Sequence, residues 1–148
     1  MIFTRANFSD PDFKKLIVQL DKDLLGRYPL IQHKFAPFNF MDEHARIVLV
    51  HDGEAPIACG AFRPKSNETV EIKRMFTHPD YRKRGIGKQV LNKLELWAKE
   101  EGFVVSILET GNNQPEAIAA YQKSEYIQIP NFAPYENVKE SLCFSKKL

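Results

Sequence analysis

The chain has 148 residues, 43% hydrophobic and 27% charged, with a formal net charge of +2. That length suits one domain with a useful core, and the composition is that of a soluble globular protein. The low net charge argues against a nucleic-acid binder, no apolar run approaches the ~20 residues of a membrane span, and the first ten residues do not read as a signal peptide.

Ile2 to Ala6 reads as a short strand. Ser9-Asp10-Pro11 then offers a capping residue followed by proline in the first turn, which starts a helix. Phe13, Leu16, Ile17, Leu20 and Leu24 form its apolar stripe, and Gly26 is expected to end it. Residues 27–44 are aromatic and broken by proline, which predicts a loop with a short helix at most. Ile47–His51 and Ile57–Phe62 read as strands joined through Asp52-Gly53, a hairpin dipeptide. Ser66-Asn67 turns the chain into a third strand, Thr69–Thr77. Ile86 to Glu101 is the clearest helix: Ile86, Val90, Leu91, Leu94 and Trp97 share a face, and Gly102 closes it. Phe103–Leu108 is a near-continuous apolar run, as in a central strand. Pro115 opens another helix through Ala117, Ile118 and Tyr121, and Tyr126–Ile129 and Leu142–Phe144 close the chain as strands. A strand-helix-strand passage from 69–77 through 86–101 to 103–108 requires parallel strands. Cys59 and Cys143 lie in apolar runs and read as buried thiols of a reducing compartment, so a cytoplasmic protein is expected.

The stretch that carries chemistry is Tyr81-Arg82-Lys83-Arg84-Gly85-Ile86-Gly87-Lys88, between a strand and a helix. Glycine lets the backbone turn tightly and lets a ligand approach the main chain. The helix start adds unpaired N–H groups and the positive end of a dipole, so the element reads as a phosphate cradle. A dinucleotide fingerprint needs a third glycine, and a P-loop needs Ser or Thr after Gly-Lys; Val90 and Gln89 stand there instead. A solvated basic turn is the bland alternative.

Arg82-x-x-Gly85-x-Gly87 resembles the acyl-CoA signature of the GNAT N-acetyltransferase family, and the order of elements is similar to that fold along nearly the whole chain. The resemblance implies one N-acetyltransferase domain over 1–148. It implies an α/β (α+β) fold: a central mixed, mostly antiparallel sheet flanked by helices, with the parallel crossover at the CoA site. Acetyl-CoA would be the cosubstrate and a small amine the acceptor, with no nucleic acid or membrane partner and a homodimer allowed. Lys83, Arg84, Gly85, Ile86, Gly87 and Lys88, with Arg82, would hold the pyrophosphate. Met75, Phe76 and Thr77 would pair their main chain with the pantetheine and polarise the acetyl carbonyl. Gln114, where the family usually has Asn, would contact the pantetheine. Gln114 to Tyr126 is similar to the family's Asn-x-x-Ala-x-x-x-Tyr-x-x-x-Gly-Phe motif, which makes Tyr121 the candidate general acid; Glu125 replaces the usual Gly.

An amine of pKa near 10.4 lies about 3.4 units above pH 7, so deprotonating it costs about 4.6 kcal/mol, and a base is useful. Glu71, on the strand before the cradle, resembles the catalytic glutamate of the histone-acetylating branch; it would act directly or through water. In a regular strand Glu71, Lys73 and Met75 share one face. The bland reading is an exposed glutamate paired with Lys73 or a cross-strand lysine. Arg27, Tyr28, Phe35, Phe38 and Phe40 either line the acceptor pocket or pack a lid, and Tyr135 is a second candidate there. His33, His44, His51 and His78 show no metal spacing, so no metal is expected. A non-catalytic acyl-CoA sensor and a protein-lysine or N-terminal acetyltransferase are the competing functions.

Overall fold

The structure, a computed structural model, describes residues 1–30 and 36–148; Phe35 and His33 lie outside the described residues. The elements are β1 (Ile2–Ala6), α1 (Pro11–Arg27), β2 (Arg46–Asp52), β3 (Ala55–Pro64), β4 (Thr69–Thr77), α2 (Ile86–Glu100), β5 (Val105–Gly111), α3 (Pro115–Lys123), β6 (Ile127–Ile129) and β7 (Ser141–Lys147). Single 3-10 turns occupy Ala36–Asn39 and Pro79–Tyr81. The seven strands form one sheet in the order β1-β2-β3-β4-β5-β7-β6. Every neighbouring pair is antiparallel except β4 and β5, which the α2 crossover makes parallel. Among the described residues no helix is long and apolar enough to cross a membrane.

Each helix is placed by its apolar stripe. The Asp10 carboxylate caps α1 by accepting from the N–H groups of Asp12 and Phe13. Phe13, Leu16 and Leu20 are buried on one face of the sheet against Ile47, Leu49, Cys59, Ala61 and Phe76. On the opposite face, Ile86, Val90, Leu91, Leu94 and Ala98 of α2 pack on Val48, Val50, Phe62, Val70, Ile72 and Leu108. The result is a sheet between two helical layers, with a core on either side. Gly26 does not end α1. The Tyr28 N–H bonds to the Leu24 carbonyl and carries the helix to Arg27. Gly102, with φ of 94°, does close α2, and Gly53, with φ of 61°, makes the β2–β3 turn.

Two departures from regular β structure shape the site. The parallel ladder between β4 and β5 spans only Thr69 to Ile72 against Val105 to Leu108. Beyond Ile72 and Leu108 the strands part. Arg74 then takes a left-handed conformation, φ of 56°, and the β3–β4 register slips between Cys59 and Ala61. A bulge bends its strand and breaks the alternation of side chains. Met75 therefore does not share a face with Glu71 and Lys73, as strict alternation predicts. It packs on the α2 side against Gly60, where a Cβ would collide with its sulfur and with Val90 and Leu94.

Candidate active site

The parting of β4 from β5 opens a cleft of about 780 Å³ through the edge of the crossover. It is lined by the far half of β4, the turn into α2, the end of β5 and the inner face of α3. Ligands of open sheets with parallel strands gather at such strand ends.

At one end lies the glycine turn. Gly85 has φ of 76° and sits at the N-cap of α2 with no side chain to cap it. The first helical bond of α2 runs from the Gln89 N–H to the Gly85 carbonyl, so the helix leaves the amides of Ile86, Gly87 and Lys88 without partners. Gly85 is there for its backbone angle, because a Cβ on it would meet nothing within 4 Å among the described residues. At Gly87 the only described neighbour a Cβ would meet is the Thr77 hydroxyl at 3.7 Å, an ordinary contact, so this glycine keeps the mouth of the cleft clear. Lys83 also has a positive φ, 64°, which strains a residue with a Cβ and tightens the turn. Arg82 uses its guanidinium internally. Its Nε donates to the Thr77 carbonyl at 2.8 Å, and the group also faces Asp23 and lies over the Phe76 ring. Arg84 does not line the cleft; it stacks over the Tyr81 ring at 5.1 Å.

Met75, Phe76 and Thr77 run along the middle of the cleft, where β5 no longer covers their strand. Gln114 lies opposite, at the start of α3. Its side-chain oxygen accepts from the Gly111 N–H at 3.2 Å, so its NH₂ is the part left for a ligand. Tyr121, two turns along α3, lines the same cleft and touches Tyr126 edge to face. Burial, and then the charge of Glu109, push its phenol pKa upward, so it stays protonated.

The other end is built from charge. Glu71 is 1% exposed, not the surface glutamate of the bland reading. Its Oε2 lies 3.4 Å from the Lys73 ammonium, which is where that reading placed its partner. Arg63 is 3.6 Å from Oε1, and that oxygen has no hydrogen-bond partner among the described residues. Lys73 also donates to the Tyr135 hydroxyl at 2.8 Å. Burial lowers the Lys73 pKa, and the Glu71 charge opposes that shift. Tyr135 is itself buried behind Lys73, against Phe38, Phe132 and Cys143, and does not line the cleft. Phe38 and Phe40 give their carbonyls to Arg63 and do not line it either.

Among the cleft residues that have no place in the sequence reading is a carboxylate. Glu109 is the first residue of β5 beyond the parallel ladder, and it faces the cleft. The Ser141 hydroxyl donates to its Oε1 at 3.2 Å. Burial raises its pKa to about 7, and the nearby Glu71 charge adds to the shift. A carboxylate ending an apolar run at the open end of a parallel strand was the available signal.

Arg27 and Tyr28 reach across the cleft. Arg27 pairs with Glu116 and donates to the Asn113 carbonyl. The Asn113 N–H donates to the Tyr28 phenol at 3.0 Å, and the Tyr28 ring lies against Gly111, where a Cβ would collide with it. The end of α1 is thereby fastened to the β5–α3 loop across the cleft.

Comparison with known proteins gives the same reading of the fold. The acetyltransferase (GNAT) family profile matches residues 12–126. An IAA acetyltransferase of Azospirillum brasilense is 29% identical over 136 residues, covering 90% of this chain and 89% of its own. A solved Klebsiella pneumoniae chain, named for the acyl-CoA N-acyltransferases, superposes with a TM-score of 0.83 at 25% identity, covering 99% of this chain and 97% of its own. A GNAT family acetyltransferase of Elizabethkingia anophelis, solved with acetyl-CoA bound, superposes with a TM-score of 0.71 at 19% identity, covering 99% and 97%. With the profile spanning most of its length and the parted β4–β5 pair at its centre, the chain belongs to the GNAT acetyltransferase family.

Proposed function

We propose that this protein is an N-acetyltransferase that moves an acetyl group from acetyl-CoA to the primary amine of a small molecule, by direct attack in a ternary complex. Acetyl-CoA is the donor used by acetyltransferases of the family. The observation that carries the reading is the cleft itself: helix-start amides unpaired among the described residues at one end, a protonated phenol midway, and the buried Glu71 with the half-buried Glu109 at the other.

In this reading the amides of Ile86, Gly87 and Lys88 face the pyrophosphate, with Lys83 and Lys88 adding charge. The open edge of Met75 to Thr77 pairs with the pantetheine as an added strand would, and Gln114 donates its amide from the other side. A main-chain N–H of that edge polarises the acetyl carbonyl. Tyr121 gives its proton to sulfur as the C–S bond breaks; its raised pKa makes earlier transfer unfavourable, so the two events are concerted. Lys73 and Arg63 hold the charge of Glu71, so it reaches the amine only through water and sets the charge of this end of the cleft. A small acceptor is supported by the tie across the cleft, where α1 is fastened to the β5–α3 loop. The reaction is assigned to the cytoplasm, where free thiols such as Cys59 and Cys143 persist.

The test is a panel of primary amines incubated with acetyl-CoA, with product identified by mass and thiol release followed in parallel. One CoA released per N-acetylated amine is the expected result. Tight acetyl-CoA binding with no transfer to any amine would replace the enzyme by an acyl-CoA sensor.

A further inference from the structure

We infer that Glu109, where β4 and β5 part, is the general base that takes the proton from the attacking amine. The inference rests on the acetyl-transfer reading of the cleft.

Position is the first argument. Ile72 and Leu108 are the last paired residues of the parallel ladder, and Glu109 is the next residue on β5. It therefore stands where the open edges of the two strands begin. Its cross-strand partner on β7 is Cys143, which packs with Tyr135 beside Lys73, so Glu109 shares the sheet face of Glu71 and Lys73. Tyr121 comes from α3 and packs with the cluster on the α2 side. A thioester threaded through the fork would meet a base on one face of the sheet and an acid on the other. An amine attacking from the first face expels sulfur toward the second.

Charge is the second argument. Glu71 is held by Lys73 and approached by Arg63. Glu109 makes no salt bridge among the described residues; its one partner there is the neutral Ser141 hydroxyl at Oε1, and Oε2 has none. The titratable groups around it are Lys73 and Glu71 on β4, Tyr28 at the end of α1, Tyr121 on α3, and Tyr135 and Cys143 toward β7. Lys73 is the one cation in this set, and it already serves Glu71 and Tyr135. A carboxylate so placed suits an incoming ammonium. Burial holds its pKa near 7, so at neutral pH it is available both to accept a proton and to release it.

The protons balance. An ammonium, R–NH₃⁺, gives one proton to the Glu109 carboxylate. The nitrogen lone pair attacks the thioester carbonyl carbon, the N–C bond forms, and the C–S bond breaks as Tyr121 protonates the thiolate. The nitrogen loses its second proton on the way to the amide, which restores Tyr121 through water. Glu109 then releases its proton to solvent, leaving N-acetylamine, CoA thiol and one H⁺.

The experiment has two arms. In the first, glutamate carboxyls are labelled with ¹³C and titrated by NMR in the whole protein, with Glu109→Gln assigning the resonance. A midpoint near 7 is expected; a midpoint in the ordinary range near 4.5 overturns the assignment. In the second, the pH dependence of kcat/KM is measured for the parent, Glu109→Gln, Glu109→Asp and Glu71→Gln with putrescine, tyramine and lysine as probe amines. The parent profile should rise with pH through an inflection near 7. Glu109→Gln should lose that inflection and about 100- to 10,000-fold in kcat, with acetyl-CoA affinity by calorimetry unchanged. Glu109→Asp, its carboxylate withdrawn by one methylene, should keep the inflection at a reduced rate. Parent-like turnover in Glu109→Gln alongside active parent enzyme overturns Glu109 alone. Parent enzyme that binds acetyl-CoA yet acetylates none of the probes overturns the transfer reading and this assignment together.

Discussion

Replacing Glu71 tests stability before it tests chemistry. The carboxylate is buried between Lys73 and Arg63, and Lys73 is only 7% exposed. Glu71→Gln keeps the shape but leaves a buried ammonium without its counter-ion, which costs about 3 kcal/mol in such pairs. Urea unfolding should show that loss. A parent-like midpoint would mean that Lys73 is solvated, or already deprotonated, without Glu71. Tyr121→Phe is the cleaner probe, because it removes one hydroxyl and little packing. Its turnover should fall by about 100- to 10,000-fold with saturating acetyl-CoA, while the melting temperature holds. The loss should shrink with an acyl donor whose thiol leaves more easily. Unaltered turnover would assign the acid role to water. Glu109 adds a stability signature of its own. Its folded pKa is raised above the ordinary 4.5, so the stability it contributes is full below about pH 4.5 and is lost as pH rises through about 7. Glu109→Gln should therefore melt higher than the parent at pH 8, and the advantage should disappear toward pH 5. An advantage independent of pH would show that packing, not the buried charge, is responsible.

At the scale of elements, the chain announces what is local and conceals what is assembled. The stripes of α1 and α2, the Asp52-Gly53 hairpin and the glycine turn into α2 are written in residues within one or two turns of each other, and each forms where the pattern predicts. The bulge at Arg74 has no such mark. Arginine does not favour the left-handed region; it is held there while its guanidinium pairs with Asp21 of α1, far away in sequence. The one cue was Gly60, a glycine alone inside a strand, which lies where the β3–β4 register slips. Glu109 was hidden for the same reason. Its environment comes from β4, β7 and α3, and nothing in Val105 to Gly111 reveals which neighbours will meet it. Gly60→Ala should be costly, about 1–3 kcal/mol, since the added methyl must displace Met75, Val90 and Leu94. Glu125 offers the reverse case. It takes φ of 73° just past the end of α3, the place of the glycine in the family motif. The geometry survives the substitution, at a strain of roughly 1–2 kcal/mol for a residue with a Cβ. Glu125→Gly should therefore raise the stability by about 1 kcal/mol, less the entropy the unfolded chain gains. A lowered melting temperature would show that the Glu125 side chain has a role the strain argument omits.

At the scale of the whole molecule, four strands stand on one side of the parted pair and three on the other, joined by a ladder four residues long. A ligand lying between the open edges ties the two halves together. Acetyl-CoA at a hundred times its Kd should stabilise the fold by about 2.7 kcal/mol, a rise of roughly 5–10 °C in melting temperature for a chain of this size. An unchanged melting curve at that concentration would mean that the folded state has no preference for the ligand. The two cysteines bear on how such work is done. Cys59 and Cys143 are fully buried, and burial pushes their thiols up to about 12 and about 11. A protonated thiol is a poor nucleophile, so neither side chain will exchange with a thioester passing through the cleft, and no acetyl group will be parked on the enzyme by that route. The same silence serves the bench: in a colorimetric assay with a disulfide reagent, folded enzyme should contribute no background, and any signal before the amine is added counts hydrolysed donor or molecules that have come apart.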